Sequence, residues 1–195
     1  MVKIDELNPI YLKDETKQKV RKSFLHSDFP AVMLNEFFTP QFYLDLQKKV
    51  SALNFKKDTV ILHHSYLISN IKLSSSELCN FLSFITKKKI DELTFRAYLL
   101  SWKDYMILND KYLEKPGVDV IIDLTEAWNS EYGGILTYTD GRGTVYPISS
   151  AGNNLAVVER KKTLHKYIQY LNHYAKDRKR LFLIASVSRT IQHLA

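Results

Sequence analysis

The sequence predicts an α+β fold in which a mainly helical first half precedes a compact β-rich second half. Apolar residues recur at helical spacing in residues 1–93, whereas short apolar runs alternate with turn signals in residues 94–188. Helices that precede a compact β unit are expected to pack on one of its sheets. The 195 residues fit a single domain with a substantial core. Residues 1–93 would form its helical support and residues 94–188 its β core.

The composition narrows the class of protein. The net charge is +7, which can attract acidic partners, but basic-aromatic recognition motifs are absent and nucleic acid is not an expected partner. A single cysteine, Cys79, excludes an internal disulfide and a multi-cysteine zinc site. No apolar stretch approaches the ~20 residues that span a bilayer, and the N-terminus lacks a signal-peptide core. We therefore expect a cytoplasmic protein without membrane contact; the oligomeric state stays open.

The first half is expected to contain helices and one or two strands. Residues 15–26 form a charged amphipathic segment, and residues 30–34 are a short apolar strand candidate. Thr39 can cap a helix, because apolar residues follow it at helical spacing. Residues 59–69 are rich in β-branched and aromatic residues and predict an extended segment. Ser74 and Glu77 have the spacing of a capping box before a third helix.

The second half contains eight short apolar runs, and glycine, proline or asparagine separates several of them. The runs are FRAYLLSW, DYMIL, VDVIIDL, GILTYT, TVYPIS, NLAVVER, HKYIQYL and RLFLIASVS. Strands at roughly eight- to twelve-residue spacing indicate an all-β sandwich or barrel. Eight is the number of strands in a jelly roll, so a jelly roll is the predicted core.

Ordered landmarks in this half resemble a known family. They are Asp104-Tyr105 before Asn109-Asp110-Lys111, then Gly133-Gly134, Asn153-Asn154-Leu155, His165 and Arg180. In this order the landmarks resemble the prolyl-hydroxylase-like branch of the 2-oxoglutarate/Fe(II) dioxygenases. The resemblance covers residues 94–188 and implies a double-stranded β-helix (jelly-roll) barrel with the N-terminal helices on one sheet.

The resemblance also implies cofactors and site residues. In that family two imidazoles and one carboxylate hold Fe(II), and an arginine pairs with the far carboxylate of 2-oxoglutarate. On this basis His165 would be a metal ligand and Arg180 the cosubstrate anchor, with Arg178 as the alternative anchor. Tyr138 and Tyr98 would contact the cosubstrate. The usual substrates of this branch are prolyl residues of partner proteins, so a protein or small-molecule substrate is implied.

The sequence departs from the family at the metal itself. If Asp104-Tyr105 set the register, Asn109 stands where the family has its first histidine, and Lys111 stands where it has its aspartate. A lysine ammonium about 4 Å from a divalent ion would be repelled by about 8 kcal/mol at an effective dielectric of about 20. A β-bulge that turned Asp110 inward could restore a weak site. The candidate metal ligands are therefore Asp110, His165 and the neutral amide of Asn109, and no catalytic residue is assigned.

Three functions remain open on these residues. The first is a 2-oxoglutarate/Fe(II) dioxygenase that hydroxylates a protein or small-molecule C–H bond with an altered iron site. The second is a non-catalytic jelly-roll binding module that recognises a carboxylate ligand or a protein partner. The third is a basic scaffold that touches nucleic acid and uses the barrel only as structure.

Overall fold

The structure is a computed structural model, and it describes residues 6–27, 29, 31–60, 63–73, 75–108, 115–140, 142–149 and 151–188. Three α-helices lie in the first half of the described chain: α1 (Asp14–His26), α2 (Pro40–Ser51) and α3 (Ser76–Thr86). The strands before residue 93 are β1 (Ala31–Leu34), β2 (Lys56–Val60) and β3 (His63–Lys72). The remaining strands are β4 (Thr94–Leu100), β5 (Tyr105–Met106), β6 (Gly117–Asp123), β7 (Leu136–Thr139), β8 (Val145–Pro147), β9 (Asn154–Arg160), β10 (His165–Ile168) and β11 (Arg180–Ser188).

The eight apolar runs of the second half each contain one strand, so this part of the prediction is confirmed. All seven residues of β6 are buried, which explains why its sequence is a nearly continuous apolar run instead of an alternating one. None of the described helices combines the length and the hydropathy that crossing a membrane requires.

The N-terminal half differs from the prediction in two details. The expected extended segment over residues 59–69 is a hairpin of β2 and β3, in which Val60 pairs with His63. Three strands therefore precede residue 93 in the described chain. The cap of α3 is Ser75, whose Oγ accepts the N–H of Leu78 at 3.0 Å. The prediction placed this cap one residue early, at Ser74, which lies outside the described residues.

The strands form two antiparallel groups that β3 connects. One group has the order β1-β9-β6-β11-β4, and the other has the order β5-β10-β7-β8. Backbone pairs join the later part of β3 to β4, as in Tyr66 with Leu99. Its first residues, His63 and His64, pair with Met106 and Tyr105 of β5. β3 therefore ties both groups together along one side.

Two apolar clusters define the layers. One cluster combines the helices with alternate residues of β4, β6, β9 and β11, and Phe95 and Leu183 belong to it. The other receives residues from both strand groups, including Leu136 of β7, Ile168 of β10 and Phe182 of β11. Because both groups contribute to this second cluster, their inner faces pack against each other. The helices cover the opposite face of the first group.

Gly133 shows how closely the loops pack at one end of the strands. Its φ is +74°, and a Cβ at this position would stand 2.0 Å from the carbonyl oxygen of Tyr170. We expect Gly133→Ala to lower the free energy of unfolding by about 3 kcal/mol, because backbone strain and overpacking add. Gly143 is the matched control: its φ is +90° and no atom lies within 4 Å of its Cβ position.

Gly143→Ala should cost only the strain of the left-handed conformation, about 1 kcal/mol. Chemical denaturation of both variants measures the difference. Equal losses in the two variants would show that the approach to Tyr170 does not matter.

Candidate functional site between the two strand groups

The inner face of β6 carries two carboxylates. Asp119 and Asp123 flank Ile121 on this face, and Asp119 is 0% exposed whereas Asp123 is 3% exposed. Burying an ionised carboxylate is costly unless positive or hydrogen-bonding groups compensate it. Each aspartate is therefore the centre of a separate polar cluster, one toward each end of the strand.

The Asp119 cluster draws on four further strands. The Tyr138 hydroxyl of β7 donates to Asp119 Oδ2 at 2.8 Å, and the Lys166 ammonium of β10 donates to the same oxygen at 3.1 Å. The Ser186 hydroxyl of β11 donates to Oδ1 at 2.7 Å. Arg160 Nε of β9 lies 3.4 Å from Oδ1. Tyr138 and Lys166 belong to the other strand group, so this carboxylate links the two inner faces.

The Asp123 cluster contains Arg180. Arg180 Nη1 donates to Asp123 Oδ1 and, at 2.6 Å, to Thr125 Oγ1. The backbone N–H of Thr125 also donates to Asp123 Oδ1 at 2.8 Å. The guanidinium carbon lies 5.2 Å from the ring centroid of Phe182 and 5.8 Å from that of Trp128. Arg180 is thus held by a carboxylate, a hydroxyl and two aromatic faces.

A small cavity adjoins this ion pair. Its volume is about 10 Å³, and Asp123, Arg180, Met33 and Ser149 are among the residues that line it. Within the described residues, Asp123 Oδ2 and Arg180 Nε have no hydrogen-bond partner. A cavity of this size holds about one water molecule, and one water could satisfy both atoms.

The predicted cosubstrate residues all lie near this interior. Arg180 begins β11 and is buried, and Tyr138 is buried against Asp119. The ring of Tyr98 stacks on Phe182, with centroids 5.2 Å apart and planes within 9°. The alternative anchor, Arg178, is exposed, and its guanidinium carbon lies 5.5 Å from the ring centroid of Tyr132. Their roles in binding a cosubstrate stay predictions.

Of the three predicted metal ligands, only His165 lies within the described residues. His165 begins β10 and pairs with Thr139. Lys166 and Ile168 contribute to the interior, so strand alternation assigns His165 to the opposite face. Asn109 and Asp110 lie outside the described residues. Among the residues that the structure describes, no group of three or more His, Cys, Asp or Glu side chains could hold a metal ion.

The partners of Arg180 and Tyr138 were not among the predicted site residues. The signal was present in VDVIID, where Asp119 and Asp123 interrupt an otherwise apolar strand. Positions four residues apart on a strand share a face, so both carboxylates required cationic partners in the same interior. Lys166 was not predicted as a site residue, because the family resemblance assigned a role only to its neighbour His165.

Tyr43 of α2 approaches the Asp123 cluster from the helical layer. Burial raises the pKa of the Tyr43 phenol to about 12, and the negative charge of Asp123 adds to the shift. The phenol therefore remains neutral in the folded protein under conditions in which an unfolded tyrosine ionises.

Comparison with solved structures assigns the fold. No family model matches the sequence. A Pseudomonas putida prolyl-4-hydroxylase has a TM-score of 0.66 at 12% identity, over 89% of this chain and 99% of that chain. A 2OG-Fe(II) oxygenase family protein from Burkholderia pseudomallei has a TM-score of 0.67 at 10% identity, over 89% and 91%. The chain therefore shares the fold of these oxygenase structures.

A third similar structure is a prolyl hydroxylase in complex with a peptide. A Trichoplax adhaerens prolyl hydroxylase, in complex with a hypoxia-inducible-factor peptide fragment, has a TM-score of 0.60 at 12% identity, over 88% of each chain. The chain thus has a prolyl-hydroxylase-like fold, as the sequence landmarks predicted. At these sequence identities the comparison establishes the fold of the chain. Its activity has to be inferred from the residues of the site.

The Arg180–Asp123 pair should dominate local stability. Arg180→Met leaves a buried carboxylate without its cation and should lower the free energy of unfolding by about 3–5 kcal/mol. The double variant Arg180→Met/Asp123→Leu should lose much less, because no charge stays buried alone. The matched control is the exposed pair of Lys72 with Glu92, in which Lys72→Met should cost less than about 1 kcal/mol. Denaturant titration of the cycle checks this, and additive losses would contradict the coupling.

Tyr43 should contribute to alkaline unfolding. The raised folded-state pKa means that the unfolded chain releases the phenolic proton first, near pH 10, so stability falls as the pH rises from about 10 toward about 12. Tyr43→Phe should therefore lose less stability than the wild type between about pH 9 and about pH 11. Tyr174→Phe, at a residue that is 63% exposed, is the control and should follow the wild type. An unchanged pH dependence in Tyr43→Phe would refute the assignment.

Proposed function

We propose that this chain is a non-catalytic binding module built on the jelly-roll barrel of the 2-oxoglutarate/Fe(II) oxygenases. The observation that carries the proposal is the pairing of Arg180, the anchor expected from the family, with the buried carboxylate of Asp123. The Arg180 guanidinium is thus paired with a carboxylate of the protein and is not available to the carboxylate of a cosubstrate.

The strand order supports the barrel. The strands of the second half divide into β9-β6-β11-β4 and β5-β10-β7-β8. Two antiparallel sheets of four strands with a shared interior have the layout of a jelly roll. The hydrogen bonds of Tyr138 and Lys166 to Asp119 cross this interior, as expected for two sheets of a closed sandwich.

The chemistry beside Arg180 does not fit 2-oxoglutarate. A second carboxylate at this guanidinium would face the like charge of Asp123 in a low-dielectric interior, where repulsion is strong. The adjoining cavity of about 10 Å³ has room for about one water molecule beside the ion pair. Displacing Asp123 from Arg180 would leave the buried carboxylate of Asp123 without its cation. The binding energy of the cosubstrate would have to offset the cost of this unpaired charge.

The metal position is also altered. Asn109 and Lys111 replace the histidine and the aspartate of the family pattern, and the ammonium of Lys111 would oppose a divalent cation. His165 is half-buried, and Lys166 beside it is engaged with Asp119. These residues do not fit the ligand set of two imidazoles and one carboxylate. We therefore assign no reaction step to iron in this chain.

The second candidate function is a competent oxygenase with Asp110 and His165 as metal ligands. The observation that favours it is the fold similarity, since one similar structure is a prolyl hydroxylase bound to a peptide and another is an epimerase bound to Fe³⁺ and alpha-ketoglutarate. On this alternative Fe(II) and 2-oxoglutarate are the cofactors, and a protein is the substrate. On our leading proposal a protein partner or carboxylate ligand is bound but remains chemically unchanged.

The two candidates differ in their response to Fe(II) and 2-oxoglutarate. Mixed without oxygen, the wild-type protein should show no metal-to-ligand charge-transfer band and should form no succinate when air is admitted. A prolyl hydroxylase of the same fold, measured in parallel, serves as the positive control. A charge-transfer band together with succinate formation would reject the non-catalytic proposal.

Asp123→Ala tests the occupied anchor directly. This change removes the competing carboxylate and enlarges the cavity, so 2-oxoglutarate or succinate should raise the thermal midpoint of this variant. The same ligands should leave the midpoint of the wild type unchanged. The double variant Asp123→Ala/Arg180→Met is the control, because it has the enlarged cavity but lacks the guanidinium that would bind the ligand. Stabilisation of the wild type by 2-oxoglutarate would contradict the proposal.

A further inference from the structure

One end of the second strand group carries exposed aromatic and basic side chains on two adjacent loops. We define the aromatic–basic surface as Trp102, Lys103, Tyr105, Tyr170, Tyr174, Lys176 and Lys179. We propose that this surface binds single-stranded nucleic acid, with bases stacked on its rings and phosphates at its lysines. The inference concerns a surface outside the interior described above, so it holds whether or not the barrel contains iron.

The rings are accessible to a ligand. Trp102 is 48% exposed, Tyr170 is 50% exposed and Tyr174 is 63% exposed. Tyr105 connects the two loops, since its ring centroid lies 6.4 Å from that of Tyr170. Nucleobases stack on exposed aromatic rings without regard to sequence. The Lys103 ammonium lies over the Trp102 ring, and the ring centroid of His173 lies 4.2 Å from that of Tyr174, so a base would stack on the other face of each ring.

The loops that present these rings are fixed to each other. The backbone N–H of Lys103 donates to the carbonyl of Leu171 at 2.9 Å, and the N–H of Leu171 donates to the carbonyl of Asp104 at 2.9 Å. The Asp104 carboxylate is 1% exposed and accepts hydrogen bonds from the Ser101 N–H at 2.6 Å and from His64 Nδ1 at 2.6 Å. The backbones of both loops are therefore held in place before a ligand binds, which lowers the entropic cost of binding.

Cations accompany the rings. The Lys103 ammonium lies 4.5 Å from the ring centroid of Trp102. A nucleotide whose phosphate binds this lysine would therefore have its base close to the indole ring. Lys176, Arg178 and Lys179 are exposed within the loop that follows Tyr174, and Asp177 is the acidic residue among them. This local excess of positive charge agrees with the net charge of +7 for the whole chain. It favours a polyanion over an uncharged partner.

The sequence supported nucleic-acid binding only through its net positive charge, because the aromatic and basic residues of this surface are not adjacent in the chain. The pairing of the Lys103 region with Leu171 brings them together. An acidic protein could also be attracted by the lysines, but flat, separate, exposed rings beside cations match stacked bases more closely than they match carboxylates.

Trp102 provides the readout. The other tryptophan, Trp128, is only 8% exposed, so a base that stacks on the surface should quench the fluorescence of Trp102 selectively. The experiment titrates the full chain with oligo(dT) and with oligo(U) at low salt. We expect saturable quenching and an affinity that falls as salt rises, because phosphate contacts release counterions.

Variants separate stacking from charge. Trp102→Ala and Tyr174→Ala should each weaken binding of a fluorescein-labelled oligo(dT) by about tenfold, whereas Trp102→Phe should retain most of the affinity without the quenching signal. Leu44→Ala, at an exposed apolar residue of α2, is the matched control and should bind as the wild type. Lys103→Glu/Lys179→Glu should abolish binding, whereas Lys48→Glu/Lys49→Glu changes the net charge equally and should retain it.

Each remaining outcome would overturn the proposal. One is the absence of binding by the wild type to either oligonucleotide. Another is unchanged affinity in Trp102→Ala and Tyr174→Ala, or an equal loss in the two charge-reversal variants, since both indicate non-specific attraction. A third is competition by poly-glutamate as effective as that by unlabelled oligo(dT), which would identify the surface as a site for acidic protein.

Discussion

The buried negative charge of β6 is the constraint on which the interior depends. Asp119 and Asp123 lie on a strand that is covered on both faces, so water cannot solvate them. The structure compensates them with Lys166, Arg160 and Arg180, which come from three different strands. The position of β6 between β9 and β11 therefore fixes where these cations must lie, and the two strand groups are held in one arrangement.

The same buried charge bears on the proposed function, because it pairs with the arginine expected to bind a cosubstrate. Arg180 stands where the family pattern has an anchor, and its charge remains inside the protein. Its partner is a protein carboxylate, so the ion pair is complete without any cosubstrate. On the function proposed above, the electrostatic balance of this interior does not depend on a bound ligand.

Much of the fold could be predicted because apolar periodicity and turn residues are local. Each of the eight apolar runs after Thr94 contains a strand, and the order of Asp104, Gly133, His165 and Arg180 indicated the class of fold. The interior contacts could not be predicted in this way, since the pairing of Tyr138 and Lys166 with Asp119 depends on how two sheets face each other. The exposed rings likewise become neighbours only through tertiary hydrogen bonds.

The role of β3 has a consequence for motion. Backbone hydrogen bonds join the two strand groups along β3, whereas the terminal strands of the pairing order are β1 and β8. Near that margin the Ser149 N–H contacts Met33 Sδ at 3.4 Å, and both residues line the cavity beside Arg180. Side-chain contacts separate more readily than a strand ladder. Solvent exchange with the buried guanidinium should therefore proceed through the margin of β1 and β8, and amide deuteration there should precede that of β3.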